Sequence, residues 1–429
     1  MVRSLLILFV VGTLGFLAAC GSGGTPVGVT PPPPPGQNIQ AITVDGGPLG
    51  NYANGAFVSV QVCVPGTATC QTIDHVLLDT GSFGLRLLGS QVTIALPVLN
   101  DGSGDNLNNC IQFLDNSFLW GNVAQADIKM AGEVASVTSV QLIANPPPGT
   151  YVIPAGCTGT NEDTQATLGA NGILGVGPEP FDCGTACDPN GGQQTPPPLY
   201  YLCSATAGCS PTFVSCGSVC SDTQANAQVT NPVFNFVGDN NGVIVELTKV
   251  TSTAATVSGS LIFGIGTQSN NGLGSAVVLP LDQQDNFTTV FSGQTLTGSF
   301  LDSGSNGLFF PNGIEAGFPN GTIPICTTNS SFYCPAAVTA FSATNESGSA
   351  SSPVNFSVDN ADNLFSQNPN DSAFATLGGP QGTGACSSTN TGACIFDFGL
   401  PFFYGRNVFT AIDGATPPTG VPAGPFLAY

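Results

Sequence analysis

Positive charge is almost missing from this sequence. Five Lys and Arg face 26 Asp and Glu over 429 residues, a formal net charge of −21. A surface so poor in cations excludes nucleic acid as a partner, because phosphate binding needs a basic face. Histidine is missing except for His75. That count excludes a His-rich metal site, and Ser-His-Asp or Cys-His chemistry would have to use one imidazole that stands in an apolar run, a strand position. The sequence lacks a phosphate loop, a dinucleotide fingerprint and long amphipathic helical periodicity. It implies no cofactor. Beyond the N-terminus no apolar run is long enough to span a membrane. The acid excess favours solubility, and it suits acidic surroundings, where protonation relieves self-repulsion.

What is present begins with Arg3, the apolar run Leu5 to Leu17 and Ala18-Ala19-Cys20. A basic start, a short apolar stretch and small residues describe an export signal over residues 1–19. "LAAC" resembles the bacterial lipobox, which implies that Cys20 carries lipid and holds the chain on a membrane. Gly21 follows, in place of the Asp associated with inner-membrane retention, so the resemblance implies the outer membrane of a bacterial envelope. Residues 20–38 are rich in Gly, Ser and Pro, with five prolines from Pro31 to Pro35, and they read as a tether.

There are 15 cysteines. With Cys20 set aside the remainder is even, as a disulfide framework in an oxidising compartment requires. Close spacing suggests local pairs: Cys63 with Cys70, Cys326 with Cys334, Cys386 with Cys394. For the six from Cys183 to Cys220 the sequence leaves the pairing open. Cys183/Cys187 and Cys216/Cys220 have the spacing of a zinc site, which export disfavours.

Short apolar runs separated by turn residues predict a mainly β chain. "AFVSVQVCVPGTATCQTIDHVLLD" reads as a hairpin, and further strands are expected at "QADIKMAG", "VTSVQLIA", "PVFNFVG", "NGVIVELTKV" and "GSLIFGIG". A short helix is expected near "PNGIEAGF". Two apolar runs end in an acid: "VLLDTGS" at Asp79 and "SFLDSGS" at Asp302, more than half the chain apart. A buried Asp must be hydrogen-bonded, paired or protonated, so a repeated one implies a pair. Each motif has a later apolar-Gly companion, "NGILGVG" and "IFDFGLPFFYG". The organisation expected is one lobe over 39–226, including a Cys-rich loop, and a second over 227–429.

These motifs, in this order, resemble the pepsin-like aspartic peptidases over about Asn51 to Tyr429. The resemblance implies a bilobal, mainly β fold with a cleft, and peptide hydrolysis by water activated between Asp79 and Asp302. It implies that Gly81 and Gly304 let backbone donors approach the carboxylates, that Ser82 and Ser305 add hydroxyl donors, and that Thr80 and Ser303 lock the loops together. Family members cover the cleft with a hairpin whose Tyr reaches a Trp. Here the corresponding hairpin is "CIQFLDNSFLWG", with Phe113 near the Tyr position and Arg86 near the Trp position, so that contact is absent. Trp120 offers an aromatic from elsewhere in the hairpin, as a substitute or as packing. Arg86 would bind an acidic group of substrate, or pair with an acid of the chain. Against the peptidase stands a catalytically inactive binding protein of the cell envelope on the same scaffold. "DGSGDNLNN" (101–109) has the composition of a calcium loop without its spacing, and Phe83, Phe309 and Phe310 receive no role.

Overall fold

Valines, isoleucines and phenylalanines at alternate positions make Gly55–Cys63 and Cys70–Asp79 strands with one face in the core. They pair antiparallel with Cys63 opposite Cys70, and a disulfide closes the hairpin there. The computed structural model describes residues 37–146, 150–204, 207–220, 224–312, 322–381 and 394–429. The export signal, Cys20, most of the tether, Cys386 and nearly all of "PNGIEAGF" lie outside those residues.

The two halves repeat one strand pattern. In the first, Cys70–Asp79 runs parallel to Gly172–Val176, which pairs antiparallel with Phe83–Leu88, which runs parallel to Glu133–Ile143. In the second, Gln294–Leu301 runs parallel to Asp397–Phe398, which pairs antiparallel with Leu308–Phe310, which runs parallel to Gly378–Pro380. Register agrees as well: Leu78 faces Leu174 and Leu301 faces Phe398, so each motif Asp emerges one residue later, beside Gly175 or Gly399. Neither glycine has room for a side chain. A Cβ at Gly175 would lie 2.7 Å from the Phe83 backbone, and one at Gly399 2.1 Å from the Gly307 carbonyl oxygen.

Among the described residues a sixteen-stranded sheet contains Asp79, and a separate seven-stranded sheet leads to Asp302. The larger sheet passes from one half to the other where Ile39–Asp45 pairs with Val257–Phe263. The whole is mainly β, with one strand pattern repeated in its two halves. Phenylalanines fill the core of the second half. Phe310 lies 5.1–5.7 Å from the rings of Phe291, Phe341, Phe356 and Phe396, and Phe396 stacks on Phe398 at 3.9 Å. Phe310 is thus a core residue, while Phe83 and Phe309 are half-buried.

One expected strand is not one. "PVFNFVG" forms a 3-10 turn over Pro232–Asn235, because Pro232 has no N–H for a ladder and the Asn231 side chain accepts from Val233 N–H at 3.1 Å. The other four quoted runs contain strands. Among the described residues six disulfides form: Cys63–Cys70, Cys110–Cys157, Cys183–Cys187, Cys203–Cys209, Cys216–Cys220 and Cys326–Cys334. The cysteines with zinc-like spacing are therefore consumed in disulfides. In 101–109, Asp101 accepts from the N–H groups of Ser103 and Asp105, so it ties its own turn. No helix of the described residues is long and apolar enough to cross a membrane.

Candidate functional site

The parallel strand pattern delivers Asp79 and Asp302 to one place from opposite sides. Behind them the two loops interlock through hydroxyls. Thr80 Oγ1 accepts from Ser303 N–H at 2.9 Å and donates to Leu301 O at 3.1 Å. Ser303 Oγ accepts from Thr80 N–H at 3.1 Å and donates to Leu78 O at 2.7 Å. Both side chains are buried, and the four bonds are related by the same near-twofold symmetry as the strands. Ser303 performs its half with the hydroxyl alone, which is why Ser serves where the other loop has Thr.

Each carboxylate is then held from its own loop. Asp79 Oδ1 accepts from Gly81 N–H at 2.8 Å, and Ser82 Oγ hydrogen-bonds Asp79 Oδ2. Asp302 Oδ1 accepts from Gly304 N–H at 2.7 Å and Ser305 N–H at 3.2 Å, and Ser305 Oγ lies 2.9 Å from Asp302 Oδ2. Glycine is required at both approaches. A Cβ on Gly81 would sit 2.5 Å from Asp302 Cγ, and one on Gly304 2.8 Å from Asp79 Cγ.

Each carboxyl thus lies against the glycine of the opposite loop, Asp302 on Gly81 and Asp79 on Gly304. Burial first, and the Asp302 charge second, push Asp79 well above the ordinary carboxylate range, against the Ser82 and Gly81 hydrogen bonds that pull it down. A buried carboxyl facing a second one resists ionising. Such a pair has an acceptor and a donor for protons side by side.

A family profile spans residues 34–429, nearly the entire chain. The chain belongs to the DUF3443 family. The description of that family is a protein of unknown function. No curated protein matches the chain. Among solved structures, the aspartic proteinase from Irpex lacteus is similar with a TM-score of 0.47 and 13% identity, over 87% of this chain and 93% of that one.

In this DUF3443 protein the hairpin expected over the cleft forms from Asn106–Gln112 and Ser117–Met130, turning where Phe113 N–H donates to Ser117 O and Asn116 N–H to Phe113 O. Phe113 packs, half-buried, on an apolar cluster that includes Phe57, Leu119 and Ile173. Trp120 is buried edge-on to Tyr201, centroids 5.6 Å apart, in a cluster with Cys110 and Cys157; its surroundings are those of a packed aromatic. Arg86 is 1% exposed and pairs with Asp182 at 3.0 Å, so it is closed to substrate. Its guanidinium also donates to Asn109 and Gln141, each at 2.7 Å. The arginine therefore ties the strand after the Asp79 loop to the base of the hairpin, a structural role.

Two residues near the dyad had no role assigned from the sequence. Tyr52 packs beside Phe57, and its hydroxyl is pushed up by burial first, then by Glu162, Asp302, Asp79 and Asp115. It brings a phenol into the field of both carboxyls, from a segment ahead of the first hairpin. Glu162, pushed up to about 7 by burial and then by Asp115 of the hairpin turn, adds a further acid near Tyr52. The second is Asp397, inside the apolar-Gly companion of the Asp302 motif, whose Oδ2 lies 2.6 Å from Ser305 Oγ. The sole imidazole, His75, meets Asp45 and Asp74 at 3.4 Å each, a surface role on its strand.

Proposed function

We propose that this protein is an aspartic endopeptidase, with Asp79 and Asp302 as the catalytic residues. The observation that carries the reading is the carboxyl pair itself: two acids brought against each other and gripped by matching loops. A water held between them loses a proton to the ionised carboxylate as its oxygen attacks the peptide carbonyl carbon. The protonated carboxyl simultaneously donates to the carbonyl oxygen, giving a neutral gem-diol. A carboxyl then protonates the amide nitrogen, the C–N bond breaks, a diol proton returns to the pair, and an acid and an amine leave. One water is consumed and the dyad again holds one proton.

In this reading Gly81, Gly304, Ser82 and Ser305 stabilise the carboxylates, and Thr80 and Ser303 fix their spacing. The substrate is a peptide or protein in the cleft beneath the hairpin, and lipid on Cys20 would keep the enzyme at the bacterial outer membrane. The test is cleavage of a diverse peptide mixture between about pH 3 and 7, around the carboxyl titration range. Wild type is compared with Asp79→Asn and Asp302→Asn. Cleavage by wild type alone, with both variants folded, supports the peptidase; a folded wild type inert throughout leaves the envelope binding protein in its place.

A further inference from the structure

The second apolar-Gly companion, "IFDFG", differs from the first in one respect that the dyad does not account for. At the register position where the first half has Ile173, opposite Leu77, the second half has Asp397, opposite Phe300. Strand alternation sends Phe396 and Phe398 to one face, where they stack in the aromatic core, and turns Asp397 to the other, toward the dyad. It is 8% exposed.

Its Oδ2 lies 2.6 Å from Ser305 Oγ, and the same Oγ lies 2.9 Å from Asp302 Oδ2. A serine hydroxyl has one proton to give. It cannot serve two carboxylates, so one of the acids must bring a proton of its own. Asp302 Oδ1 already receives two backbone N–H groups, whereas Asp397 Oδ1 is buried with no hydrogen-bond partner among the described residues. An anion at Asp397 would be left with a contested donor and nothing else. Among the described residues the charged groups that bear on it are Asp302 and, more weakly, Asp79. The flanking strands Gln294–Leu301 and Leu308–Phe310 contain no titratable side chain. Burial first and the Asp302 charge second push Asp397 well above the ordinary carboxylate range.

We propose that Asp397 is a third carboxyl of this site, a positioning residue that keeps its proton, donates it in a hydrogen bond to Ser305, and thereby turns the Ser305 hydroxyl onto Asp302. Asp302 then has three aligned donors and takes the negative charge of the dyad, while Asp79, with Gly81 N–H and Ser82, keeps the shared proton. When Asp397 ionises at high pH, the Ser305 hydroxyl turns away from Asp302 and a like charge appears one residue behind it. The site thus contains an upper pH limit of its own. Its catalytic meaning rests on the peptidase reading, but the proton linkage does not.

The experiment is a ¹³C titration of the full chain labelled at aspartate carboxyl carbons, from about pH 3 to 9, with signals assigned through Asp79→Asn, Asp302→Asn and Asp397→Asn. The expected Asp397 signal stays protonated through neutral pH, and Asp302→Asn, by removing the neighbouring charge, lowers its midpoint by about one pH unit or more. Ser305→Ala cuts the linkage and shrinks that response, and it serves in place of Asp397→Asn should that variant not fold. An Asp397 midpoint near the ordinary value of about 4, or one unmoved by Asp302→Asn, overturns the proposal. If wild type cleaves peptides, Asp397→Asn extends the alkaline limb of kcat/KM upward and leaves the acid limb in place. An alkaline limb unchanged in folded Asp397→Asn also counts against it. If wild type cleaves nothing, the titration still decides the linkage, so failure of the peptidase reading and failure of this one are told apart.

Discussion

Removing the Ser303 hydroxyl tests the interlock on which the site depends. Ser303→Ala deletes one acceptor and one donor at a residue with 0% exposure, leaving Thr80 N–H and Leu78 O without their partners. Each buried polar group so orphaned costs about 1–3 kcal/mol. Some relaxation of the loop recovers part of this, so the expected loss is about 2–4 kcal/mol out of a typical total of about 5–15 kcal/mol. Thr80→Val keeps shape and removes the other hydroxyl, orphaning Ser303 N–H and Leu301 O, for a similar loss. The double variant should lose less than the sum, because releasing one loop frees the groups of the other. The assay is urea unfolding with disulfides intact, reading the midpoint at unchanged slope. Thr80→Ser keeps its hydroxyl and should lose far less than Thr80→Val. If Ser303→Ala unfolds within about 0.5 kcal/mol of wild type, as a neutral surface change would, the loops are held by something else and the symmetry argument fails.

Gly81→Ala places a methyl 2.5 Å from Asp302 Cγ; it should abolish cleavage in a protein whose circular dichroism is unchanged, and retained activity would mean the carboxyls can part without loss. Arg86→Met strands Asp182, fully enclosed beside Tyr200 and Asn109; calorimetric or urea unfolding should show a loss of about 3–5 kcal/mol, the cost of breaking a buried pair on one side. Glu162 and Glu179 are pushed up to about 7 and Asp285 to about 6, in each case chiefly by burial. Their folded values exceed their unfolded ones, so the folded chain binds more protons and stability rises as pH falls from about 8 toward the ordinary carboxyl range. A Tm higher at pH 5 than at pH 8 is expected, and the opposite order would contradict it. Cys20→Ser should abolish incorporation of labelled fatty acid in a bacterial host; undiminished label would remove the lipoprotein reading.

Much of this site was legible because its parts repeat. An acid at the end of an apolar strand is conspicuous, and two with the same Gly and hydroxyl neighbours specify their own supports, as Asp79, Asp302, Thr80 and Ser303 do. The hairpin aromatics were less legible. Whether Trp120 faced the cleft or the core depended on its neighbours Tyr201 and the Cys110–Cys157 disulfide, which lie far off in sequence. "PVFNFVG" misled because an apolar run has no direction of its own; Pro232 and the Asn231 cap determined its turn.

By itself the sequence determined the β class, the pairings Cys63–Cys70 and Cys326–Cys334 and the identity of the paired acids, since strand alternation, short loops and motif spacing are properties of contiguous residues. Only the tertiary structure decided what meets across long separations. It placed Arg86 against Asp182, aimed Tyr52 at the dyad's field, and brought Asp397 within one hydroxyl of Asp302. In sequence Asp397 is an acid between two phenylalanines, and its chemistry arises from the register of one short strand.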